Sequence, residues 1–310
     1  MTTLPTVTED LATLLAAGER AAFHGPPGAA VADLERAVVL AQREGRRAEV
    51  TAAAWLLGVA LSAGGRYGGA LRVLTPLLEA GEGGESSAET RLFATFAAAT
   101  AASVQRGLGR HEQARSLDQR GLALSDGRPE AVFDCALGLA SDAVGLHELG
   151  AAKEAYADAE ALVGQHDDEW WRQRVRLGWT RAELALLADE PGDAALAAAA
   201  SVEQAERARA PRHVAKGLLF QGVAELSAGS PEAAATLRRA ATLAEGLSAL
   251  PVVWQARALL GALIAGAAPE ESARSLAAAR SAVLTMAADL PPELREDWLA
   301  RPNVSALLEG

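Results

Sequence analysis

Cysteine occurs once in the 310 residues, asparagine once and lysine twice, and aromatic residues make up only 4% of the chain. A single thiol, Cys135, excludes an intrachain disulfide and a cysteine-built zinc site. Its setting, Phe133-Asp134-Cys135-Ala136-Leu137, reads as core filling rather than a nucleophile. With only Lys153 and Lys216, scattered arginines and a net charge of −11, there is no basic surface to displace phosphate counterions. Neither nucleic acid nor an anionic membrane is expected as a direct partner. No uninterrupted apolar stretch reaches the ~18–20 residues that span a bilayer. No charged start followed by an apolar run marks a signal peptide, so a reducing cytoplasm is the expected location.

Chemistry-bearing motifs are missing too. There is no His-Glu-x-x-His, no Gly-x-Ser-x-Gly and no Gly-x-x-x-x-Gly-Lys-Ser/Thr. His24, His111, His147, His166 and His213 fall in different segments, and Asp167-Asp168 lacks the further carboxylates that a calcium loop needs. No catalytic residue, metal or cofactor is expected, and the chain does not read as an enzyme.

What is present is a repeat. A small residue, twelve positions, then alanine recurs as Gly18/Ala30, Gly58/Ala70, Ala102/Ala114, Ala143/Ala155, Glu183/Ala195, Gly222/Ala234 and Gly261/Ala273, with Glu183 the one exception in the small slot. Midway stand Gly25, Gly65, Gly109, Gly150 and Gly229; Glu190 and Ala268 fill the other two places. Around these points apolar residues recur at helical spacing: Val50, Ala54, Leu57, Gly58 and Leu61, then Ala70, Leu71, Leu74, Leu77 and Leu78. Glycine ends the first helix of each unit. Proline restarts helices at Pro231 and Pro269, with Asp193 and Ser230 at expected N-caps. A period near forty predicts a stacked all-α array in which small residues let paired helices approach closely.

Units are expected at about 8–45, 48–80, 87–125, 129–165, 167–210, 211–248 and 251–288, forming one solenoid over 1–310. Residues 1–7 read as a frayed start. The Gly81–Ser87 stretch reads as a longer loop between units. Pro291-Pro292 and Pro302 open two short helices over 291–308 that would cap the array. A large side chain at Ala155 should overpack its hairpin.

The small residue, twelve-residue gap, alanine and glycine turn resemble the tetratricopeptide repeat across nearly the whole chain. The longer period is similar to the C-terminal arrays of MalT-like and LuxR-type bacterial regulators. The tail DLPPELREDWLARPNVSALLEG resembles the end of such arrays. Departures are Asp118 and Arg238, where the family has a large apolar side chain four residues after the alanine, and the missing unit-ending proline. The resemblance implies a right-handed superhelical solenoid of about seven helix-turn-helix repeats plus C-terminal capping helices.

It also implies a concave face lined by the first helix of each unit. By that register the inward candidates are Trp55 and Val59, Phe96 and Arg106, Val144 and His147, Thr180 and Leu184, and Lys216. A largely apolar groove with few polar heads suits a ligand; tighter coiling, or a second copy of the chain, could also fill it. The carboxylate clamp of chaperone-tail binders, two asparagines and several lysines, is absent. Trp170, Trp171 and Arg174 form a second candidate, an interface patch of the residue types that dominate hot spots. A capped helix sealing two units is the plainer reading there. The function expected is a non-catalytic scaffold for a protein or peptide in a bacterial regulatory setting. A small-molecule sensor and an accessory subunit of a biosynthetic enzyme are the alternatives.

Overall fold

A computed structural model describes residues 10–84, 86–166 and 168–309, apart from the side chain of Asp168. The expected frayed start at 1–7, Glu85 in the inter-unit loop and Asp167 lie outside the described residues. Sixteen α-helices and a 3-10 turn (Asp168–Trp170) account for the architecture, with no strand among the described residues. Fourteen helices form seven hairpins. The first three are α1 (Leu11–His24) with α2 (Pro27–Arg43), α3 (Arg47–Ala63) with α4 (Tyr67–Glu82), and α5 (Ala88–Gly107) with α6 (His111–Leu124). Next come α7 (Pro129–Gly145) with α8 (Leu149–Val163) and α9 (Trp171–Leu187) with α10 (Pro191–Arg207). The last two are α11 (Pro211–Ser227) with α12 (Ala233–Gly246) and α13 (Leu250–Ile264) with α14 (Pro269–Asp289). Two short helices follow, α15 (Pro292–Leu299) and α16 (Pro302–Glu309).

Helix starts and stops follow from local chemistry. Proline occupies the first positions of α2, α7, α10, α11 and α14, where its missing N–H is not needed. In five of the seven hairpins the chain reverses through one left-handed residue: Gly65, Gly109 and Gly229, but also His147 at φ +61° and Asp189 at φ +62°. The same Schellman-type bond closes both kinds: Arg66 N donates to Leu61 O at 2.9 Å and Glu148 N to Ala143 O at 2.8 Å. Two of the expected turn glycines sit elsewhere. Gly25 is extended at φ −128°, and Gly150 lies inside α8. Asp193 is inside the first turn of α10 and caps nothing, and the N-cap of α12 is Glu232 rather than Ser230, whose hydroxyl accepts from Glu232 N at 3.3 Å in the turn before the helix.

The helix contact also refines the repeat register. A Cβ on Gly18 would lie 2.5 Å from Leu34 Cδ2, and one on Gly58 2.4 Å from Leu74 Cδ2. The glycine therefore makes room for the leucine one turn beyond the alanine. The buried small pairs are Gly18/Ala30, Gly58/Ala70, Ala102/Ala114, Ala140/Ala152, Ala182/Ala194, Gly222/Ala233 and Gly261/Ser272. The Ala143/Ala155 pair is thus displaced by three residues and the Glu183/Ala195 pair by one. Ala234 and Ala273 are each one residue late. Glu183 never occupied a small slot, and Leu237, not Arg238, fills the apolar one. Ala155 is only half-buried while Ala152 is fully buried. Ala152→Trp should therefore cost about 1–3 kcal/mol or more by overpacking. Ala155→Trp should cost clearly less, and comparing the two urea midpoints checks this.

The array does not stay open. After five hairpins the coil meets its own beginning. Arg212 on α11 donates to Ala22 O at 3.1 Å, His24 Nδ1 lies 3.3 Å from Arg209 O, and the His24 ring packs on Trp171 at 5.2 Å. One hairpin further on, Gly69 N donates to Asp289 Oδ2 at 2.8 Å. At the tail, Trp298 is 2% exposed and packs edge-on against Trp254, and Arg280 donates to Leu307 O.

Candidate functional site

The closed coil leaves an interior cavity of about 350 Å³. Its wall comes mostly from the first helix of each hairpin: Phe23 of α1, Val59 and Ser62 of α3, Ser103 and Arg106 of α5, Leu137 and Ser141 of α7, with α9, α11 and α13 completing it. α9 contributes Arg172, Arg176, Trp179, Thr180 and Glu183, and α11 contributes Arg212, His213, Lys216 and Phe220. First helices face inward because each second helix has spent its apolar face on its partner.

Charge is concentrated here in an otherwise acidic chain. Arg106 is committed: its Nη1 donates to Asp118 at 2.6 Å, to Asp142 at 3.1 Å and to Gly138 O at 3.3 Å. Burial works against the Arg106 charge, but the two carboxylates hold its pKa above the ordinary value. Burial raises both carboxyls in turn, Asp118 strongly, with Arg106 opposing. Arg172 and Arg176 share one carboxylate, Asp134. Burial disfavours the Asp134 charge, yet the two guanidiniums keep its carboxyl below the usual range.

Arg212 donates only to a backbone carbonyl, and its Nε is buried without a partner. Burial, then repulsion from Arg172 and Arg176, brings its pKa to about 10. Lys216 has no hydrogen bond among the described residues. Its ammonium stands 4.7 Å from the centre of the Trp179 ring and 5.7 Å from that of Phe220. Burial foremost, despite Glu183, holds Lys216 down to about 8. Glu183 Oε2 accepts from Ser141 at 3.1 Å, and burial raises its pKa, with Lys216 opposing. His213 is stacked on Trp179, with Nδ1 unpartnered, and burial with the surrounding cations pushes it far down, so the ring is neutral.

Of the residues singled out from the sequence, the wall takes Val59, Arg106, Thr180 and Lys216. Trp55 and Phe96 stack on each other at 4.9 Å, beside Phe93 and behind Phe23. Trp55 Nε1 donates to Thr100 at 3.2 Å. Val144 and Leu184 do not line the cavity, and His147 is the exposed left-handed residue of its turn. Trp170 is 7% exposed and stacked on His166, Trp171 packs against His24 and His213, and Arg174 donates to His166 O. All three side chains of that patch are engaged inside the fold.

The wall residues the sequence did not point to as site residues are Asp134, Trp179, Glu183, Arg212 and His213. A signal for several of them existed. The three-residue displacement that replaces Ala143 by Ala140 also moves the inward slot from Val144 to Ser141, with Asp134 two turns earlier on the same face. The one-residue displacement that replaces Glu183 by Ala182 moves Thr180 to Trp179 and Leu184 to Glu183, with Arg176 one turn before Trp179.

Cys135 is fully buried, and burial raises its thiol pKa. Among the described residues there is no group of three or more His, Cys, Asp or Glu side chains placed to hold a metal ion. No helix among them is long and apolar enough to cross a membrane.

No protein-family model matches the chain, and no curated protein matches it in sequence. Among solved structures it is similar to a Rap protein complexed with competence and sporulation factor. The TM-score is 0.65 at 10% identity, over 96% of this chain and 80% of that one. The apo form of RapI aligns with a TM-score of 0.48 at 11% identity, over 96% and 84% of the respective chains. At such identities the first likeness is one of fold: this chain is an all-α, tetratricopeptide-like helical-repeat solenoid.

Proposed function

We propose that the chain is a non-catalytic binding scaffold, one solenoid from end to end with α15 and α16 as its cap, that holds part of a short peptide inside its coil. The observation that carries this is the interior cavity, walled by one helix from each of seven hairpins and carrying polar groups that the fold leaves unspent. Its volume suits a few side chains or one chain terminus, not a folded domain. The fold likeness to a Rap protein complexed with competence and sporulation factor supports the reading. A cytoplasmic bacterial regulator is the setting in which such a scaffold works. A small-molecule sensor, as the MalT-like resemblance implies, is the second reading, favoured by the same small volume. Thermal unfolding in the presence of a short-peptide library and a metabolite library separates the two. An occupant at a hundred times its Kd adds about 2.7 kcal/mol. Peptide hits support the first reading and metabolite hits the second; silence from both libraries sinks the scaffold reading.

A further inference from the structure

We propose that the interior cavity is an oxyanion site: a carboxylate or phosphate of the bound ligand sits between α9 and α11, with the ligand's flat or apolar remainder on Trp179 and Phe220. The proposal rests on the cavity being a binding site and names what it selects. Arg172 and Arg176 stand one turn apart on α9, and Arg212 and Lys216 one turn apart on α11, all on the same wall. Against these four cations the wall offers two carboxylates. Asp134 is already shared by Arg172 and Arg176, and Glu183 is bound to Ser141. Like charges one turn apart repel, and a buried cation without a counter-ion is costly. Nothing in the packing requires Lys216 or Arg212 to be charged: one touches aromatic faces and the other a single backbone carbonyl. An oxyanion would satisfy both, and a guanidinium beside an ammonium grips carboxylate and phosphate alike.

The test uses the full chain at constant ionic strength, with chloride as the control anion. Inorganic phosphate and succinate are titrated separately by calorimetry and thermal unfolding, followed by a binding peptide as free acid and as C-terminal amide. Tight phosphate binding with weak succinate points to a phosphate source, and the reverse to a carboxylate. We expect saturable binding of at least one of the two. Affinity should fall about tenfold or more in Lys216→Met and in Arg212→Met, a loss of about 1.4 kcal/mol for each tenfold, while Arg274→Met on the exposed face of α14 leaves it unchanged.

Without ligand, Arg212→Met and the double variant Lys216→Met with Glu183→Gln should melt close to the parent, because neither leaves a buried carboxylate without the cation that offsets it. A purely structural Lys216 would show the opposite, a lower melting temperature. Affinity should also drop from about pH 7 to about pH 9 as Lys216 loses its proton. Glu183 and Arg176 on α9, Arg106 on α5 and Arg212 and neutral His213 on α11 surround it; Arg212, brought down to about 10, begins to lose its own proton at the top of that interval and acts in the same direction. Binding no stronger than chloride, or binding by both cavity variants as tight as the parent's, overturns the proposal. A peptide bound equally as acid and amide, with phosphate and succinate both inert, would leave the scaffold reading standing and remove the oxyanion. Absence of all binding would remove both.

Discussion

Arg106→Met should destabilise the third and fourth hairpins by about 3–5 kcal/mol, the range for stripping the partner from a buried charge. Asp118 and Asp142 have fully buried side chains, and both depend on one Arg106 nitrogen. Asp118 stands where Leu34, Leu74 and Leu237 stand in other hairpins, so the fold has placed a carboxylate in an apolar socket. The neighbouring helix accommodates it only because residue 138 is glycine: a Cβ there would lie 2.1 Å from Asp118 Oδ2. Without the guanidinium, both carboxyls would be held protonated by burial, so their folded pKa values rise above the unfolded ones. That contribution is fully present below the unfolded pKa and is lost as pH climbs. The deficit of Arg106→Met should therefore be smaller near about pH 4 than near about pH 8. Combining it with Asp118→Leu and Asp142→Asn should recover most of the loss, since uncharged replacements of a buried ionic cluster are often neutral or better. Urea unfolding at both pH values reads the effect, and a single variant as stable as the parent would refute the dependence.

That network shows where the sequence is legible and where it is not. Helix pairs, their turns and the near-forty period follow from local chemistry, because glycine, proline and helical apolar spacing act within one hairpin. Asp118 could be recognised as an exception to the repeat. Arg106, twelve residues earlier, could not be recognised as its cause, because the pairing depends on how α5, α6 and α7 meet. The slips at Ala155 and Ala195 came from reading alanine in alanine-rich helices, where several positions satisfy the same small-residue rule. His147 and Asp189 taking the left-handed turn removed the glycine that would have set the register. The cavity wall inherits those slips in α7 and α9. In α3 and α5, Val59 and Arg106 line the interior, with Ser62 and Ser103 one turn away on the same face of their helices. Closure of the coil was beyond local reading, since it joins residues such as Gly69 and Asp289, 220 positions apart.

Gly68→Ala should break that closure, while Gly69→Ala, one residue away, should not. At position 68 a Cβ would lie 2.0 Å from the backbone oxygen of Asp289 and 3.0 Å from its carbonyl carbon. Neither is a flexible side-chain end, so α4 and α14 must part. The expected cost is about 1–3 kcal/mol for overpacking, plus about 0.5–1.5 kcal/mol if the Gly69–Asp289 hydrogen bond is lost. At position 69 the nearest neighbours of a Cβ, Arg72, Leu61 and Asp289, are 3.5 Å or more away, ordinary contact. Alanine there should gain up to about 1 kcal/mol from helix propensity and lower unfolded-state entropy. The contact spans five hairpins and is not part of the nearest-neighbour stacking that holds a solenoid together. Gly68→Ala should therefore keep its helicity by circular dichroism while its radius of gyration rises in small-angle scattering. Amide exchange should quicken in α14, α15 and α16 and at the start of α4, but not in α7 or α8. An unchanged radius with unchanged exchange would mean that the seam between α4 and α14 adds nothing to closure. The interior would then be shaped by the curvature of stacked hairpins alone.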